Sequence, residues 1–360
     1  LLALLSLDPH TIPSIVYTTT TDLLTVAVVL ATFGIMLLSQ LYKETKVINS
    51  LSDAASRVIN NSKVVSSLLP AIIGFLPVAG GALMSAPLVD CEADRLGLKP
   101  EKKAYVNVWF RHTIFPVYPI SQVLIITAAL TGIAVPFIII RQIPVVVVMI
   151  LVGYLFAFWR ISTQKQQNDC SPRNRSNLNS DLRRFFIAFS PILATILAVI
   201  VLDAAGLGLA SLGFDVFIAT FLGVFVLILI SRPSAHVLVN PLRRWDIYII
   251  ALAAYGAFLL RNVTIATGIS ETLKALVVNG SIDVILLLTL VPALLGFATG
   301  SPSGGVAIAV SILAGTLTFS AETAALLYIS AYLGYLIVPS HLCLAFTVDY
   351  FKCSLGRVYR

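Results

Sequence analysis

Pro70-Ala71-Ile72-Ile73-Gly74-Phe75 returns 222 residues later as Pro292-Ala293-Leu294-Leu295-Gly296-Phe297. The same shift aligns residues 30–75 with 252–297 without a gap. Gly34 meets Gly256, Leu37-Leu38 meets Leu259-Leu260, Leu51 meets Leu273, and 12 of the 46 positions are identical. Leucine and alanine identities arise by chance in apolar segments. Proline, glycine and phenylalanine matching at one fixed shift mark a duplicated unit, and a repeat constrains the fold before any local reading does. One residue more brings Pro116 onto Pro339.

The medium around this unit follows from composition. The chain is 58% hydrophobic and 11% charged, with a mean hydropathy of +0.95. Soluble domains carry about 25% charged residues. Several apolar runs approach the roughly 20 residues that cross a hydrocarbon core of about 30 Å. The net charge of +7 is then read as cationic loops on the cytoplasmic side rather than as a nucleic-acid surface. Cys91, Cys170, Cys343 and Cys353 lack metal-ligand spacing, and free thiols are predicted. The first residue is Leu1 and no basic segment precedes an apolar one, so a signal peptide is not read here. The spans on either side of the repeats do not balance, and the expectation is a piece of a longer protein.

Residues 23–41, 144–159 (with 136–143 as an upstream extension), 185–202, 216–230 and 247–260 read as spans. Residues 42–63 are polar with Val47, Ile48, Leu51, Ala55 and Val58 at helical spacing, the pattern of a helix lying along the interface. Residues 64–87 are apolar but carry Pro70, Gly74, Pro77, Gly80, Gly81 and Pro87. Residues 284–318 are likewise apolar and broken by Gly296 to Gly305. Residues 104–131 and 324–348 are spans broken at Pro116–Pro119 and at Pro339-Ser340-His341. Placing the basic segments 42–63, 89–103, 160–184, 232–245 and 349–360 in the cytoplasm collects 20 of the 24 lysine and arginine residues. Segments 64–87 and 284–318 must then enter and leave on one side, as re-entrant hairpins. The opening helices of the two copies run in opposite directions. The predicted fold is an all-α polytopic membrane protein with an inverted repeat, two re-entrant hairpins and two broken transmembrane helices. The first copy covers 1–159, a basic cytoplasmic loop 160–184, and the second copy 185–360. Interrupted helices facing each other near the midplane are the mark of secondary transporters, because non-helical backbone at that depth must be buried in protein or line a cavity.

The set Leu76-Pro77-Val78-Ala79-Gly80-Gly81-Ala82-Leu83-Met84-Ser85-Ala86-Pro87, Trp109-Phe110-Arg111-His112, Pro339-Ser340-His341-Leu342-Cys343-Leu344 and Tyr350-Phe351-Lys352 resembles an integral-membrane domain-of-unknown-function family, the one numbered four hundred and one. The resemblance covers nearly the whole chain. It implies a relation to the ion-transporter superfamily of citrate and dicarboxylate carriers, arsenite permeases and gluconate permeases. It also implies a scaffold plus a mobile transport unit, a homodimer, and a place in the cell membrane. It brings no substrate.

Candidate ligand-binding residues gather at the interruptions. Pro77, Gly80, Gly81, Thr299, Gly300, Ser301, Ser303, Gly304 and Gly305 lie at the hairpin tips, with Ser85 a turn beyond the first. Freed backbone groups and half-helix ends there aim partial charges into a gap, N-termini at anions and carbonyls at Na⁺. The competing reading is that the paired glycines only permit close helix packing. Arg111 and His112 sit inside the first broken helix, and Pro339, Ser340 and His341 at the break of the second. Arg111 is a candidate anion partner, or snorkels to the interface. His341 is a candidate proton carrier, or an interhelical hydrogen-bond donor. Asn107, Tyr118 and Tyr335 are weaker candidates. The absence of a His-Glu-x-x-His motif, of paired intramembrane aspartates and of a phosphate-binding loop argues against an enzyme or a self-contained ATP-driven pump. The expected activity is secondary transport of a small organic or inorganic anion, with Na⁺ or H⁺ as coupling ion and no other cofactor or metal. The alternatives are an ion channel and a membrane scaffold.

Overall fold

The computed structural model describes residues 7–59, 61–75, 81–159, 161, 178–205, 214–279 and 283–359. Every regular element among them is a helix. The longer ones in chain order are α1 (Ile12–Thr21), α2 (Leu23–Glu44), α3 (Val47–Val58), α4 (Ser62–Gly74), α5 (Ala82–Asp94), α6 (Pro100–His112), α7 (Gln122–Thr131), α8 (Val135–Phe158), α9 (Leu178–Ala204), α10 (Phe214–Ser231), α11 (Trp245–Ala266), α12 (Ile269–Val278), α13 (Val284–Thr299), α14 (Pro302–Leu313), α15 (Ala321–Leu336) and α16 (Leu342–Tyr350). Six stretches are long and apolar enough to cross a membrane: α2, the interrupted Pro100–Thr131, α8, Leu178–Leu202, α10 and α11. The protein is a multi-pass α-helical membrane protein. Helices α4, α13 and α14 are apolar but too short to cross, at 12 to 16 residues.

Local chemistry sets the boundaries. Asn61 caps α4 through its side chain, 2.9 Å from the Lys63 amide. Asp283 caps α13 at 2.7 Å from the Ile285 amide. Pro100 opens α6, where a missing N–H costs nothing. Ser320 and Thr323 form a capping box that starts α15 three residues ahead of the predicted span. Prolines 87 and 144 lie inside α5 and α8 without ending them, so the second half of the first hairpin runs on to Asp94 and α8 starts at Val135. The predicted loop 160–184 yields its last seven residues to α9, and its remainder lies largely outside the described residues. Helices α2, α3 and α4 begin at 23, 47 and 62, and α11, α12 and α13 at 245, 269 and 284, each pair 222 residues apart.

The interior is built around α2, two-thirds of whose apolar window is buried. Gly34 of α2 admits Thr220 of α10, whose Cβ would lie 3.1 Å from a methyl there, and Gly223 of α10 faces the Pro191 carbonyl of α9. Small residues at such crossings let helix backbones approach where lipid offers no hydrophobic drive. Tyr42 ties α2 to α9 by donating to the Ala188 carbonyl at 2.9 Å. The helix predicted to lie along the interface, α3, buries Ile48 and Leu51 to 2% and 0%; its apolar face is covered by α9 rather than by lipid. Helix α8 buries a single stripe, Ile138, Gln142, Val146, Met149, Gly153 and Ala157, and exposes Phe137, Ile140, Ile143, Val147, Val148 and Leu151. Such a face suits lipid. Cys343 and Cys353 are free thiols, as predicted. Cys91 is disulfide-bonded, against the prediction, because spacing along the chain does not report which cysteines meet in space.

Candidate functional site

The two helix interruptions meet inside the protein. Helix α6 ends at His112, a 3₁₀ turn covers Phe115–Val117, and Tyr118 is extended before α7 begins at Gln122. Pro116 and Pro119 have no amide to donate, so the ladder cannot continue through them. The freed carbonyls find partners on the other broken helix. Tyr332 donates to the His112 carbonyl at 2.7 Å and Tyr328 to the Phe115 carbonyl at 3.2 Å. The two tyrosines are one turn apart on α15 and their rings stack, with centroids 5.9 Å apart and planes at 8°. Apolar surroundings demand this, since a backbone acceptor left unpaired there costs several kcal/mol.

At the second interruption α15 ends at Leu336, and His341 is the N-cap of α16. The His341 ring lies edge-on to His112, with centroids 4.6 Å apart, and against Tyr335 at 4.2 Å. Arg111, His112, His341 and Cys343 are 1%, 3%, 1% and 8% exposed. Arg111 and His112 occupy the last turn of α6, the end at which the helix dipole favours cations. Burial of Arg111 in the interior replaces the snorkelling alternative. His112 Nδ1 is 2.6 Å from the Val108 carbonyl; it donates there, which leaves Nε2 as the nitrogen with a lone pair. Neither ring nitrogen of His341 makes a hydrogen bond of acceptable geometry among the described residues. One ligand atom from each of His112, His341 and Cys343 lies within 4.8 Å of the others.

A second buried polar node ties α5 to the two broken helices. Ser85 of α5 donates to Asn107 Oδ1 at 2.6 Å, and Asn107 Nδ2 donates to the Ala82 carbonyl at 2.9 Å and to Thr347 Oγ1 of α16 at 3.1 Å. All three side chains are fully buried. Ser85 thus joins the first hairpin to both broken helices.

Glycines bring α4 close to α6 and α13 close to α15. A methyl at Gly74 would fall 2.5 Å from the Arg111 carbonyl oxygen. One at Gly296, the residue 222 positions on, would fall 2.9 Å from the Ala331 carbonyl carbon and closer still to its oxygen. A methyl at Gly305 would fall 2.7 Å from the Gly296 backbone, so this glycine serves close packing, whereas one at Gly304 would meet nothing nearer than 3.3 Å. Gly300 takes a φ of +60°, which glycine adopts without strain, and approaches Ser340 Oγ. At that tip the hydroxyls are engaged locally. Thr299 donates to the Leu295 carbonyl at 2.7 Å, Ser301 Oγ accepts from the Gly304 amide at 3.2 Å, and Ser301 and Ser303 hydroxyls lie 3.0 Å apart. Pro339 and Ser340 are exposed and Gly81 is the buried N-cap of α5. Pro77 and Gly80 lie outside the described residues.

The sequence reading missed Tyr328, Tyr332, Cys343 and Thr347 as site residues. Tyr328, Tyr332 and Thr347 are polar groups on apolar helices, each more than 200 residues of chain from its partner. Cys343 stands two residues from His341 but 231 from His112, and no local spacing could have brought the two broken helices together.

These features define a multi-pass α-helical membrane protein with interrupted helices, buried polar groups between them and short apolar helices packed alongside. The chain belongs to the family described as Protein of unknown function (DUF401), which it matches over residues 3–360. A search among curated proteins finds no match.

Proposed function

We propose that this protein is a secondary active transporter of a small organic or inorganic anion, coupled to Na⁺ or H⁺. It is built as an inverted repeat whose re-entrant hairpins, α4–α5 and α13–α14, flank the interruptions of α6–α7 and α15–α16. The observation that carries this reading is the use of one repeat glycine in both copies, each against a backbone carbonyl of the helix that precedes a break, the two carbonyls standing 220 residues apart. Gly74 packs on the carbonyl of Arg111 and Gly296, at the 222-residue offset, on that of Ala331. Each hairpin thus leans on the broken helix of its own copy. Interrupted helices brought face to face supply dipole ends and unpaired backbone groups for a solute in mid-membrane. Arg111 is the anion partner in this reading, and His341, buried and with neither ring nitrogen in a hydrogen bond of good geometry among the described residues, the group that exchanges a proton. A homodimer in the cell membrane completes it.

The test is uptake by proteoliposomes. A thermal-shift screen against carboxylates, oxyanions and sugar acids, with and without Na⁺, selects the solute. A ligand at 100 times its Kd stabilises by about 2.7 kcal/mol. Labelled solute should then enter saturably, and only under a Na⁺ or proton gradient. Unitary currents in planar bilayers would make the protein a channel. Neither stabilisation nor flux across the panel would leave a scaffold.

A further inference from the structure

We propose that His112, His341 and Cys343 form a trigonal site for a soft monovalent d¹⁰ cation, Cu(I), which bridges the two helix interruptions. Three donors of the right chemistry are present, two imidazoles and one thiol, with ligand atoms within 4.8 Å of one another. Donors sharing an ion at about 2.0–2.3 Å stand about 3.5–4 Å apart, so side-chain rotations that bring them about 1 Å closer complete the site. All three are at least nine-tenths buried.

Two further observations point to a ligand. His341 is 1% exposed and neither ring nitrogen makes a hydrogen bond of good geometry among the described residues, its backbone neighbour being Leu336. A buried imidazole in that state forfeits one to three kcal/mol unless something occupies it. His112 already carries the bond typical of a metal-bound histidine, Nδ1–H to the Val108 carbonyl at 2.6 Å. That bond fixes the ring and leaves Nε2 available.

Charge selects the ion. Cys343 must give up its proton to ligate, so thiol, two neutral imidazoles and Cu(I) combine to a neutral centre and one proton released to water. Zn²⁺ on the same donors would leave a net positive charge in a low-dielectric interior, which is costly, and one residue away from Arg111. Zn²⁺ also asks for a fourth ligand. Thiolate with imidazole in threefold array is a copper ligand set. The ion joins the end of α6 to the start of α16 and is independent of which solute the protein carries; with copper bound, His341 no longer exchanges a proton, and the coupling ion is Na⁺.

The experiment uses the full chain purified in detergent, loaded anaerobically with Cu(I) under ascorbate and titrated with a chromophoric Cu(I) chelator. Zn²⁺ alone is run in parallel. One Cu(I) per chain is expected, with X-ray absorption showing one sulfur and two nitrogen scatterers. Cys343→Ser should weaken it at least about 100-fold, beyond the 10–100-fold typical of outer-shell changes. His341→Gln should weaken it comparably, and Cys353→Ser not at all. No retained copper, retention unaffected by either ligand variant, or stoichiometric Zn²⁺ binding in preference to Cu(I) would each overturn the proposal. Should Cys343→Ser not fold, His341→Gln and the wild-type scatterer count decide alone. Failure here leaves the uptake assay untouched, and the reverse also holds.

Discussion

Gly296→Ala tests the packing argument at its tightest point. A methyl placed on Gly296 falls 2.9 Å from the carbonyl carbon of Ala331 and nearer its oxygen. Ordinary contacts of a Cβ begin at about 3.4 Å, so α13 must withdraw from α15 by about 1 Å. Overpacking costs typically about 1–3 kcal/mol, and the top of that range applies because backbone, not a flexible side chain, stands in the way. Gly256→Ala is the control. That position sits in α11 with nothing within 4 Å, so alanine removes only the glycine penalty and should stabilise by about 0.5–1 kcal/mol. At about 2 °C per kcal/mol for a chain of this size, Gly296→Ala should lower the Tm by about 5 °C. Gly256→Ala should raise it by about 1–2 °C. Tryptophan fluorescence and size-exclusion recovery after heating in mild detergent read both. Equal melting of the two variants would refute the close approach of α13 to α15.

Asn107→Ala should destabilise by about 1–3 kcal/mol, because it removes the amide that bonds the buried Ser85 and Thr347 hydroxyls and leaves Ser85 only the Ala82 carbonyl; thermal melting of the variant beside Ser85→Ala and the double mutant gives the coupling. Ser301→Ala removes the cap of α14 and should cost about 1 kcal/mol, while Ser301→Asn keeps it; if Ser301 also serves Na⁺, the Na⁺ dependence of uptake falls in both variants, and if it only caps, in neither. Glu322, ahead of the second broken span, has its carboxyl pushed down to about 2 by its own backbone amide at the start of α15, by Ser320 and by Arg141. Its folded pKa lies below the ordinary carboxylate value of about 4.3, so its contribution is present above that value and is lost as pH falls toward 2. Melting of wild type and Glu322→Gln should therefore differ at pH 7 and converge by about pH 2, and a constant difference across that range would contradict it.

Much of the fold is legible because a bilayer imposes simple rules. Length and apolarity place the spans, and the 222-residue offset announced by Pro70–Phe75 and Pro292–Phe297 recurs in the helix starts. Capping is legible too, since Asn61 and Asp283 stand at equivalent positions before their helices. Proline was the least reliable signal. Pro116 and Pro119 end a helix, whereas Pro87 and Pro144 are carried inside one, and only the neighbours that re-satisfy the freed carbonyl decide which happens. The site was half legible. Arg111, His112 and His341 stand out as charged or titratable groups in apolar runs. Tyr332, Thr347 and Cys343 carry no such contrast and acquire meaning only from what folds against them.

Tyr328 and Tyr332 grip the first interruption at two carbonyls, one helical turn apart. A single bond would act as a pivot. Two bonds from one stiff rod forbid rotation about either, as two rivets do in a plate. The ends of α6 and α15 therefore travel together or not at all, and any rocking within the protein must find its joint elsewhere, along seams held by dispersion alone. Breaking one rivet, as in Tyr332→Phe, restores the pivot while leaving the other attached.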